Sequence, residues 1–335
     1  MQKKYLVTGG AGFIGINLIN RLLESDENSI INVDKLSYAS HAKFARDLKK
    51  YKNYELIEID IADADAVFSH LERYNPDHIF HLAAESHVDN SILNPRSFID
   101  SNIIGTFNLL QLSLKYQEKN PDFIFQHIST DEVFGSLTLE EKPFTEGNQF
   151  KPNSPYSASK ASSDHFVRAW GVTHNLRTIT TNCSNNFGPF QHKEKLIPKI
   201  IFNAFHEIEI PIYGNGKQIR DWLFVGDHVD ALIEVSKKGK ISATYNIGGG
   251  TELENLSLAK KICSILEINY AKEFKQLSSC SKLITHVQDR PGHDERYSID
   301  FEKIKNELDW IPSKNFDKNL LLTIDWFIEL FREGK

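Results

Sequence analysis

The fold follows from one segment near the start of the chain, Tyr5-Leu6-Val7-Thr8-Gly9-Gly10-Ala11-Gly12-Phe13-Ile14-Gly15. This pattern predicts a buried strand, a glycine turn and a helix that continues to about residue 24. Gly10, Gly12 and Gly15 fit the G-x-G-x-x-G fingerprint of dinucleotide-binding loops, and Gly9, Gly12 and Gly15 fit its G-x-x-G-x-x-G variant. Such glycines let the backbone approach a pyrophosphate, whose charge the helix N-terminus stabilises.

A second strand after the glycine turn supports a dinucleotide site. Ile30-Ile31-Asn32-Val33-Asp34 is an apolar run that ends in a carboxylate about twenty residues beyond the turn. A carboxylate there accepts a hydrogen bond from the ribose 2′-hydroxyl and repels a 2′-phosphate. The pattern therefore predicts NAD rather than NADP. The alternative interpretation is a structural turn followed by a surface aspartate.

Strands and helices go on alternating after this unit. Helices are predicted near residues 42–50 and 64–74, and strands at Tyr54-Glu55-Leu56-Ile57-Glu58 and His78-Ile79-Phe80-His81-Leu82. The alternation indicates an α/β fold with a doubly wound parallel sheet of the Rossmann type.

Two strand ends in this part of the chain are suited to a cofactor. Asp60 and Ile61 are placed so that Ile61 packs on an adenine ring and Asp60 bonds its amino group. The alternative role for Asp60 is a helix N-cap. Ala83 and Ala84 are small enough to let a cofactor reach the backbone.

Further along, an apolar strand runs straight into four polar residues. Phe123-Ile124-Phe125-Gln126-His127-Ile128 is followed at once by Ser129-Thr130-Asp131-Glu132. Ligands bind at strand ends in open α/β sheets, so two hydroxyls and two adjacent carboxylates there predict an active site. Two carboxylates that cap a helix are the plainer interpretation.

Tyr156 and Lys160 are spaced to share one face of a helix. A lysine cation near Tyr156 would lower the pKa of the phenol and make it a usable base near neutral pH. A Tyr-x-x-x-Lys pair by itself is more often a solvated helix face, and the dinucleotide loop is what favours a catalytic pair here.

Composition restricts the class of protein. The 335 residues are 40% hydrophobic and 25% charged, which is typical of a globular chain of one large or two moderate domains. The net charge of −6 argues against a nucleic-acid or anionic-membrane partner, and no run of residues is long enough to span a bilayer. Three cysteines without metal-like spacing predict free thiols, a reducing compartment and hence a cytoplasmic protein, and no metal site is expected.

After the strand at Arg177-Thr178-Ile179-Thr180-Thr181, the predicted strands and helices become shorter and alternate less regularly. We expect a Rossmann domain of residues 1–182 and 222–248, and a smaller α/β substrate-binding domain of residues 183–221 and 249–335. Helices predicted near residues 94–118 and 155–174 carry apolar residues on more than one face, which favours a homodimer formed through them.

The chain resembles the extended short-chain dehydrogenase/reductases and, within them, the nucleotide-sugar 4,6-dehydratases. The resemblance covers nearly the whole length. It is carried by the glycine loop and by the motifs Val33-Asp34-Lys35-Leu36, His81-Leu82-Ala83-Ala84-Glu85-Ser86-His87-Val88-Asp89, Ser129-Thr130-Asp131-Glu132-Val133, Ser154-Pro155-Tyr156-Ser157-Ala158-Ser159-Lys160-Ala161-Ser162-Ser163-Asp164, Asn182-Cys183-Ser184-Asn185-Asn186, Glu194-Lys195-Leu196-Ile197-Pro198, Arg220-Asp221-Trp222 and Asp289-Arg290-Pro291-Gly292-His293. The aspartate of the pair Asp131-Glu132 is the specific signal, because the 4-epimerases of the family lack it.

The resemblance implies a redox-neutral dehydration of dTDP-glucose with bound NAD. Tyr156, assisted by Lys160, would take the C4 hydroxyl proton, and Thr130 would hold that hydroxyl. Glu132 would remove the C5 proton while a protonated Asp131 donates to the leaving C6 hydroxyl. Repulsion between the two adjacent carboxylates raises the pKa of one of them, so that this group keeps its proton and can act as a general acid.

The resemblance also implies binding residues. Cofactor contacts are expected from Gly9, Gly12, Phe13, Ile14, Gly15, Asp34, Lys35, Asp60, Ile61, Leu82, Ala83, Ala84, Tyr156 and Lys160. Substrate contacts are expected from Ser86, His87, Thr130, Asn185, Lys195, Pro211, Tyr213, Arg220, Asn255, Arg290 and His293. Departures from the family pattern are Asn90 in place of arginine, Ser40 in place of glycine, and Phe134 and Phe187 in place of tyrosine.

Three functions stay open at this point. The first is a nucleotide-sugar 4,6-dehydratase, whose base could be dTDP, CDP or UDP. The second is a UDP-hexose 4-epimerase, which Asp131 disfavours. The third is a non-catalytic NAD-dependent sensor, which Tyr156 and Lys160 disfavour.

Overall fold

Strands and helices alternate along most of the chain. In a computed structural model that describes residues 3–273 and 279–333, the strands are β1 Lys3–Thr8, β2 Asn28–Asp34, β3 Tyr54–Glu58, β4 His78–His81, β5 Ile124–Thr130, β6 Thr178–Cys183, β7 Asn185–Phe187, β8 Ile210–Tyr213, β9 Ile219–Phe224, β10 Thr244–Ile247, β11 Glu252–Glu254 and β12 Ile284–Val287. The α-helices are α1 Phe13–Leu22, α2 Ala42–Asp47, α3 Ala64–Leu71, α4 Val88–Leu93, α5 Pro95–Phe98, α6 Gly105–Lys119, α7 Pro155–His174, α8 Leu196–Phe205, α9 Val225–Lys238, α10 Asn255–Asn269, α11 Glu302–Leu308 and α12 Phe316–Arg332. Most predicted elements are present, with ends that agree with the prediction or differ by up to three residues.

Seven strands form one parallel sheet in the order β10-β6-β5-β4-β1-β2-β3. The first strand lies inside the sheet between β4 and β2, and the chain adds strands on both sides of it. Successive β1 side chains alternate between the two faces, so Tyr5 and Val7 pack in one apolar core and Leu6 in another. The predicted doubly wound α/β fold is confirmed.

The helix predicted near residues 94–118 is interrupted. A π-helical stretch, Ile99–Ile104, separates α5 from α6. Within it, Asn102 accepts a hydrogen bond at Oδ1 from the Glu85 N–H (2.8 Å) and donates from Nδ2 to the Glu85 carbonyl (3.0 Å). The wider turn therefore ties this helix to the segment after β4, an effect that helical periodicity does not reveal.

The remaining strands form two small sheets, β11-β9-β7 and β12-β8, which pack with α8, α10 and α12 around a separate apolar core. Helix α11 instead packs against β10 and α9, and its Ile304 and Leu308 join a core of the large sheet. That segment of the predicted substrate domain thus contacts the predicted Rossmann domain. The division into residues 1–182 with 222–248 and 183–221 with 249–335 stays a prediction.

Candidate active site

The glycine loop between β1 and α1 has the shape that a dinucleotide requires. Gly9 has a φ of +70°, and a Cβ there would lie 2.7 Å from the Ala83 backbone nitrogen. A Cβ on Gly15 would clash with the Gly9 carbonyl oxygen. Only glycine fits at these two positions, and the first turn of α1 is left open for a phosphate.

Asp34 ends β2 beside this loop. Its carboxylate accepts hydrogen bonds from the backbone N–H groups of Ala11 (2.9 Å) and Leu36 (2.8 Å). Burial raises the pKa of Asp34, and these two bonds oppose the increase. The carboxylate is thus held at the strand end, where a ribose hydroxyl is expected.

Lys35 and Asp60 form the next part of the wall. The Lys35 Nζ lies 3.0 Å from Glu85 and 3.7 Å from Asp60, and it donates to the Ser101 hydroxyl (2.9 Å). Asp60 accepts a bond from the Ala62 N–H, but Asp63 is the residue that caps α3. The alternative of a helix N-cap at Asp60 is therefore wrong.

All the predicted cofactor residues line one cleft of about 300 Å³ at the carboxyl ends of the strands. Ile61 contributes to its wall with a side chain that is 5% exposed. The cleft is also lined by Thr130, Asp131 and Glu132, and by Ser86, Asn185 and Lys195 from the predicted substrate set. The assignment of each residue to a ligand stays a prediction.

The two carboxylates after β5 lie in different surroundings. Thr130 begins a short 3₁₀ turn, in which its hydroxyl accepts a bond from the Glu132 N–H (3.3 Å) and donates to Asp131 (3.2 Å). Burial raises the pKa of Asp131 well above its ordinary value, and the charges of Glu132 and Asp221 add to this. Burial also raises the pKa of Glu132, but the cations Arg290, Lys195 and Arg220 oppose it. Asp131 is therefore the better acid and Glu132 the better carboxylate base.

Helix α7 carries Tyr156 and Lys160 to the end of β5. It begins with Pro155 after a capping box made by Ser154 and Ser157. The Lys160 Nζ donates to the Ile128 carbonyl of β5 (2.9 Å). Burial raises the pKa of Tyr156 well above its ordinary value, Glu132 adds to this, and the Thr130 hydroxyl opposes it. The predicted lowering of the Tyr156 pKa is therefore wrong for the protein alone, because burial and the nearby carboxylates raise it.

Several predicted substrate residues contact one another, and of these Ser86 and Lys195 line the cleft whereas Tyr213 and Arg290 lie outside its lining. Lys195 donates from Nζ to the Ser86 carbonyl (2.7 Å), and Tyr213 donates its hydroxyl to Asp89 (2.9 Å). The Arg290 guanidinium lies 3.8 Å from Asp89. These contacts join segments that are far apart in sequence, and the charges of Lys195 and Arg290 oppose the increase that burial causes in the Glu132 pKa.

The other predicted substrate residues flank this group. His87 caps α4 through Nδ1 and lies 3.7 Å from Glu194, whereas His293 bonds Asp289 (2.6 Å). Pro211 is half-buried in β8, next to the strand residue Ile212. The residues that His87, His293 and Pro211 contact could not be predicted from the sequence.

Arg220 is 5% exposed and makes no ion pair within 4.0 Å among the described residues. Its guanidinium lies 4.3 Å from the ring centroid of Tyr297, and it donates to the carbonyls of Ile219 and Asp294. The Tyr297 hydroxyl in turn donates to the Asp294 carboxylate, which also accepts a bond from Asn153 (2.6 Å). Sequence analysis missed Tyr297, Asp294 and Asn153, because no spacing rule joins them.

Four polar atoms of the predicted site residues are buried without hydrogen-bond partners. In the described part of the chain, no hydrogen bond is made by Asn185 Oδ1, Asn255 Oδ1, Asp131 Oδ2 or Arg290 Nε. Leaving such atoms unpaired costs free energy, so a polar ligand that pairs them is favoured. Asn185, Asn255 and Arg290 all belong to the predicted substrate set.

The departures from the family pattern have local explanations. Asn90 donates to the Tyr38 hydroxyl (2.9 Å), which lies 3.3 Å from each carboxylate oxygen of Glu194. Phe134 and Phe187 are 1% exposed and pack among other aromatic rings. The two missing hydroxyls are therefore compatible with apolar packing.

Neither a membrane span nor a metal cluster is present in residues 3–273 and 279–333. No helix there is both long and apolar enough to cross a bilayer. No group of three or more His, Cys, Asp or Glu side chains there could hold a metal ion.

The fold and the site together define a dinucleotide-binding α/β protein of the short-chain dehydrogenase/reductase class. Its tyrosine–lysine pair and two carboxylates meet at one strand end. A family model described as GDP-mannose 4,6 dehydratase matches residues 6–321, and the chain belongs to this family.

Individual relatives are similar over nearly the whole chain. The dTDP-glucose 4,6-dehydratase of Escherichia coli is 47% identical over 338 residues, covering 97% of this chain and 93% of that protein. The dTDP-glucose 4,6-dehydratase of Neisseria meningitidis serogroup B is 46% identical, covering 98% of this chain and 94% of that protein. The predicted resemblance is confirmed.

Solved structures give the same result. DesIV, a dTDP-glucose 4,6-dehydratase from Streptomyces venezuelae solved with NAD and TYD bound, has a TM-score of 0.88, 36% identity and coverage of 97% of both chains. A UDP-glucose 4-epimerase from Thermotoga maritima, solved with UDP-glucose, has a TM-score of 0.85 and 27% identity, covering 98% of this chain and 99% of that one. Epimerases thus have the same fold, so the fold does not separate dehydratase from epimerase activity. The residues of the site are needed for that distinction.

Proposed function

We propose that this chain is a dTDP-glucose 4,6-dehydratase, a hydro-lyase that converts dTDP-glucose to dTDP-4-keto-6-deoxyglucose and water with bound NAD. The relatives named above confirm the predicted activity and cofactor at the level of sequence and fold. The observation that carries the proposal is the pair Asp131 and Glu132, whose surroundings separate an acid from a base beside Tyr156.

When bound, NAD would supply a reversible hydride acceptor for the sugar, and its positive nicotinamide ring would favour a phenolate beside it. The glycine loop, Asp34 and the small residues after β4 would hold it, because a Cβ at Gly9 or Gly15 would fill its cradle. Oxidation at C4 starts with Tyr156, which removes the C4 hydroxyl proton while Thr130 orients that hydroxyl.

Elimination uses the two carboxylates in different protonation states. A ketone at C4 acidifies the C5 hydrogen, so Glu132 removes it as a carboxylate base. Asp131, whose pKa is raised well above its ordinary value by burial and by Glu132, keeps its proton and donates it to the departing C6 hydroxyl. Water leaves, and Glu132 later returns the proton to C5.

The nucleotide diphosphate is proposed to lie along the cations on the far side of the cleft. Arg220 and Arg290 offer planar guanidinium groups that suit diphosphate oxygens, and Lys195 adds a third charge. Arg220 stacks on Tyr297 rather than pairing with a nearby acid, so its charge is kept for a ligand.

The nucleotide base and the competing epimerase activity are settled by one assay. Purified protein is offered dTDP-, UDP- and CDP-glucose separately, and products are identified by mass. The proposal expects a 4-keto-6-deoxy product 18 Da lighter than the substrate, formed fastest from dTDP-glucose, where 18 Da is roughly the mass of one water lost in the elimination. Epimerisation without loss of mass would refute it, and a preference for CDP- or UDP-glucose would assign the alternative dehydratase.

We also propose a homodimer formed through the helices near residues 94–118 and 155–174. Large apolar side chains are exposed on and beside them, including Ile99 (45%), Ile104 (42%) and Val172 (65%). Leu93, at the end of α4, is 84% exposed. Large apolar side chains exposed on these helices favour association.

A cytoplasmic location is proposed on the state of the thiols. Cys183, Cys263 and Cys280 are all buried and free of disulfides. Free thiols suit a reducing compartment.

A further inference from the structure

Helix α7 carries a buried carboxylate that the proposed reaction does not use. Asp164 lies one helical turn after Lys160 and is 5% exposed. It accepts hydrogen bonds from His127 Nε2 (3.0 Å), the Ser129 hydroxyl (2.8 Å) and Asn182 Nδ2 (3.4 Å). Three donors converging on one carboxylate indicate that it is held as an anion.

A buried anion requires a nearby cation. His127 does not supply one, because burial and the Lys160 charge lower its pKa well below the ordinary value. Lys160 is itself 4% exposed, and the single hydrogen bond of its Nζ among the described residues is to the Ile128 carbonyl. Burial lowers the pKa of Lys160, and the charge of Asp164, which acts without a direct ion pair within 4.0 Å, is the largest effect that opposes this.

We propose that Asp164 is a positioning residue, the buried counter-charge that keeps Lys160 cationic on the helix that also carries Tyr156. The inference rests on the proposed role of Lys160 in the first hydride transfer. Without a fixed anion, a buried amine is more easily lost to its neutral form, and a neutral Lys160 gives Tyr156 no electrostatic assistance. The position i+4 keeps the two groups on one helix face whatever ligand is bound.

Several titratable groups face Asp164 and Lys160 from the elements packed around them. Those facing the pair are His127 from β5, Cys183 from β6, His165 from α7 and Asp131 after β5. Burial keeps Cys183 protonated by raising its pKa to about 12, and His127 is neutral. Burial raises the pKa of Asp164 to about 6, whereas Lys160, Ser129 and Asn182 oppose the increase. The counter-charge is thus present above about pH 6 and is lost as pH falls through that value.

The test substitution is Asp164→Asn in the protein with its bound cofactor. An amide fits, because its oxygen still accepts from Ser129 and its NH₂ can donate to His127 once the ring proton moves to Nδ1, an atom with no partner among the described residues. We expect the first hydride transfer, measured as reduced cofactor after mixing with dTDP-glucose, to slow by about tenfold or more at neutral pH. In a plot of this rate against pH, the fall at high pH (the alkaline limb) should move to lower pH. The fall near pH 6 (the acidic limb) should disappear. KM should not change.

Two further variants and a second readout keep the inference testable. Asp164→Glu retains the charge and should restore the alkaline limb. Ser129→Ala removes a hydrogen-bond donor to Asp164, so it should raise the pKa of Asp164 and move the acidic limb to higher pH. If Asp164→Asn does not fold, this variant tests the counter-charge role. Competitive labelling of Lys160 by acetic anhydride, read by mass across pH, should show a more reactive amine in Asp164→Asn.

The outcomes separate the inference from the proposed function. If wild-type protein forms 4-keto-6-deoxy product but Asp164→Asn keeps both limbs and the wild-type Lys160 reactivity, the counter-charge role is wrong. An unmoved acidic limb in Ser129→Ala contradicts it in the same way. If wild-type protein forms no such product, the proposed function fails, and the labelling still tests the Asp164–Lys160 pair.

Discussion

Glu132→Gln tests the division of labour between the two carboxylates. Glutamine keeps the size of the side chain but cannot accept the C5 proton, so elimination should slow by the ~10²–10⁴-fold typical of a positioned acid–base group. In energy this is ~3–5 kcal/mol of barrier. The first hydride transfer should survive, because its base is Tyr156 and no proton leaves C5 in that step.

The structure adds an electrostatic consequence to this variant. The negative charge of Glu132 helps to raise the pKa of both Tyr156 and Asp131. Removing that charge lowers both values, so the first hydride transfer should reach its maximal rate at lower pH than in the wild type. Asp131 should also lose its proton more readily, which adds to the slowing of elimination at neutral pH.

The assay is rapid mixing with dTDP-glucose, followed by absorbance of the reduced cofactor and by mass of the product. Reduced cofactor should accumulate while 4-keto-6-deoxy product forms slowly. Glu140→Gln, an exposed position in the same segment, is the matched control and should behave as the wild type. Dehydration at wild-type speed in Glu132→Gln would refute the reasoning.

Other predictions address the cofactor, the first step and the assembly. Purified protein should release NAD on denaturation, and release of NADP would contradict the role given to Asp34. Tyr156→Phe should abolish formation of reduced cofactor on mixing with substrate, whereas normal turnover would remove Tyr156 from the mechanism. Light scattering at micromolar concentration should give a dimer that Leu93→Asp weakens, because the substitution puts a charge into the exposed apolar surface; a wild-type monomer would count against the interface.

The parts of the site that sequence predicted best depend on short spacings. The glycine turn and Asp34 belong to one strand–turn–helix–strand unit, so their geometry follows from neighbouring residues. Tyr156 and Lys160 share a helix face because they are four residues apart. For such local patterns, identity and spacing nearly determine the arrangement.

Contacts between distant segments could not be predicted in that way. From sequence alone, Arg220 and Arg290 would be interpreted as surface charges. In the structure Arg220 stacks on Tyr297 and Arg290 lies beside Asp89. The raised pKa of Tyr156 depends on burial, which no spacing rule supplies. Asp164 was visible in the sequence as part of a motif, but its three donors come from two other strands and its role appears only in the packed structure.

The place of β10 in the large sheet bears on how the protein is made. β10 pairs with β6, yet the 60 residues of 184–243 lie between the two strands and include the small-sheet strands β7, β8 and β9. A ribosome adding ~5–20 residues per second needs about 3–12 s to deliver β10 after β6. Throughout that interval β6 is an open edge with unpaired backbone groups, which is a template for aggregation. Nascent chains stalled between residues 184 and 243 should therefore engage chaperones more strongly than chains stalled beyond β10.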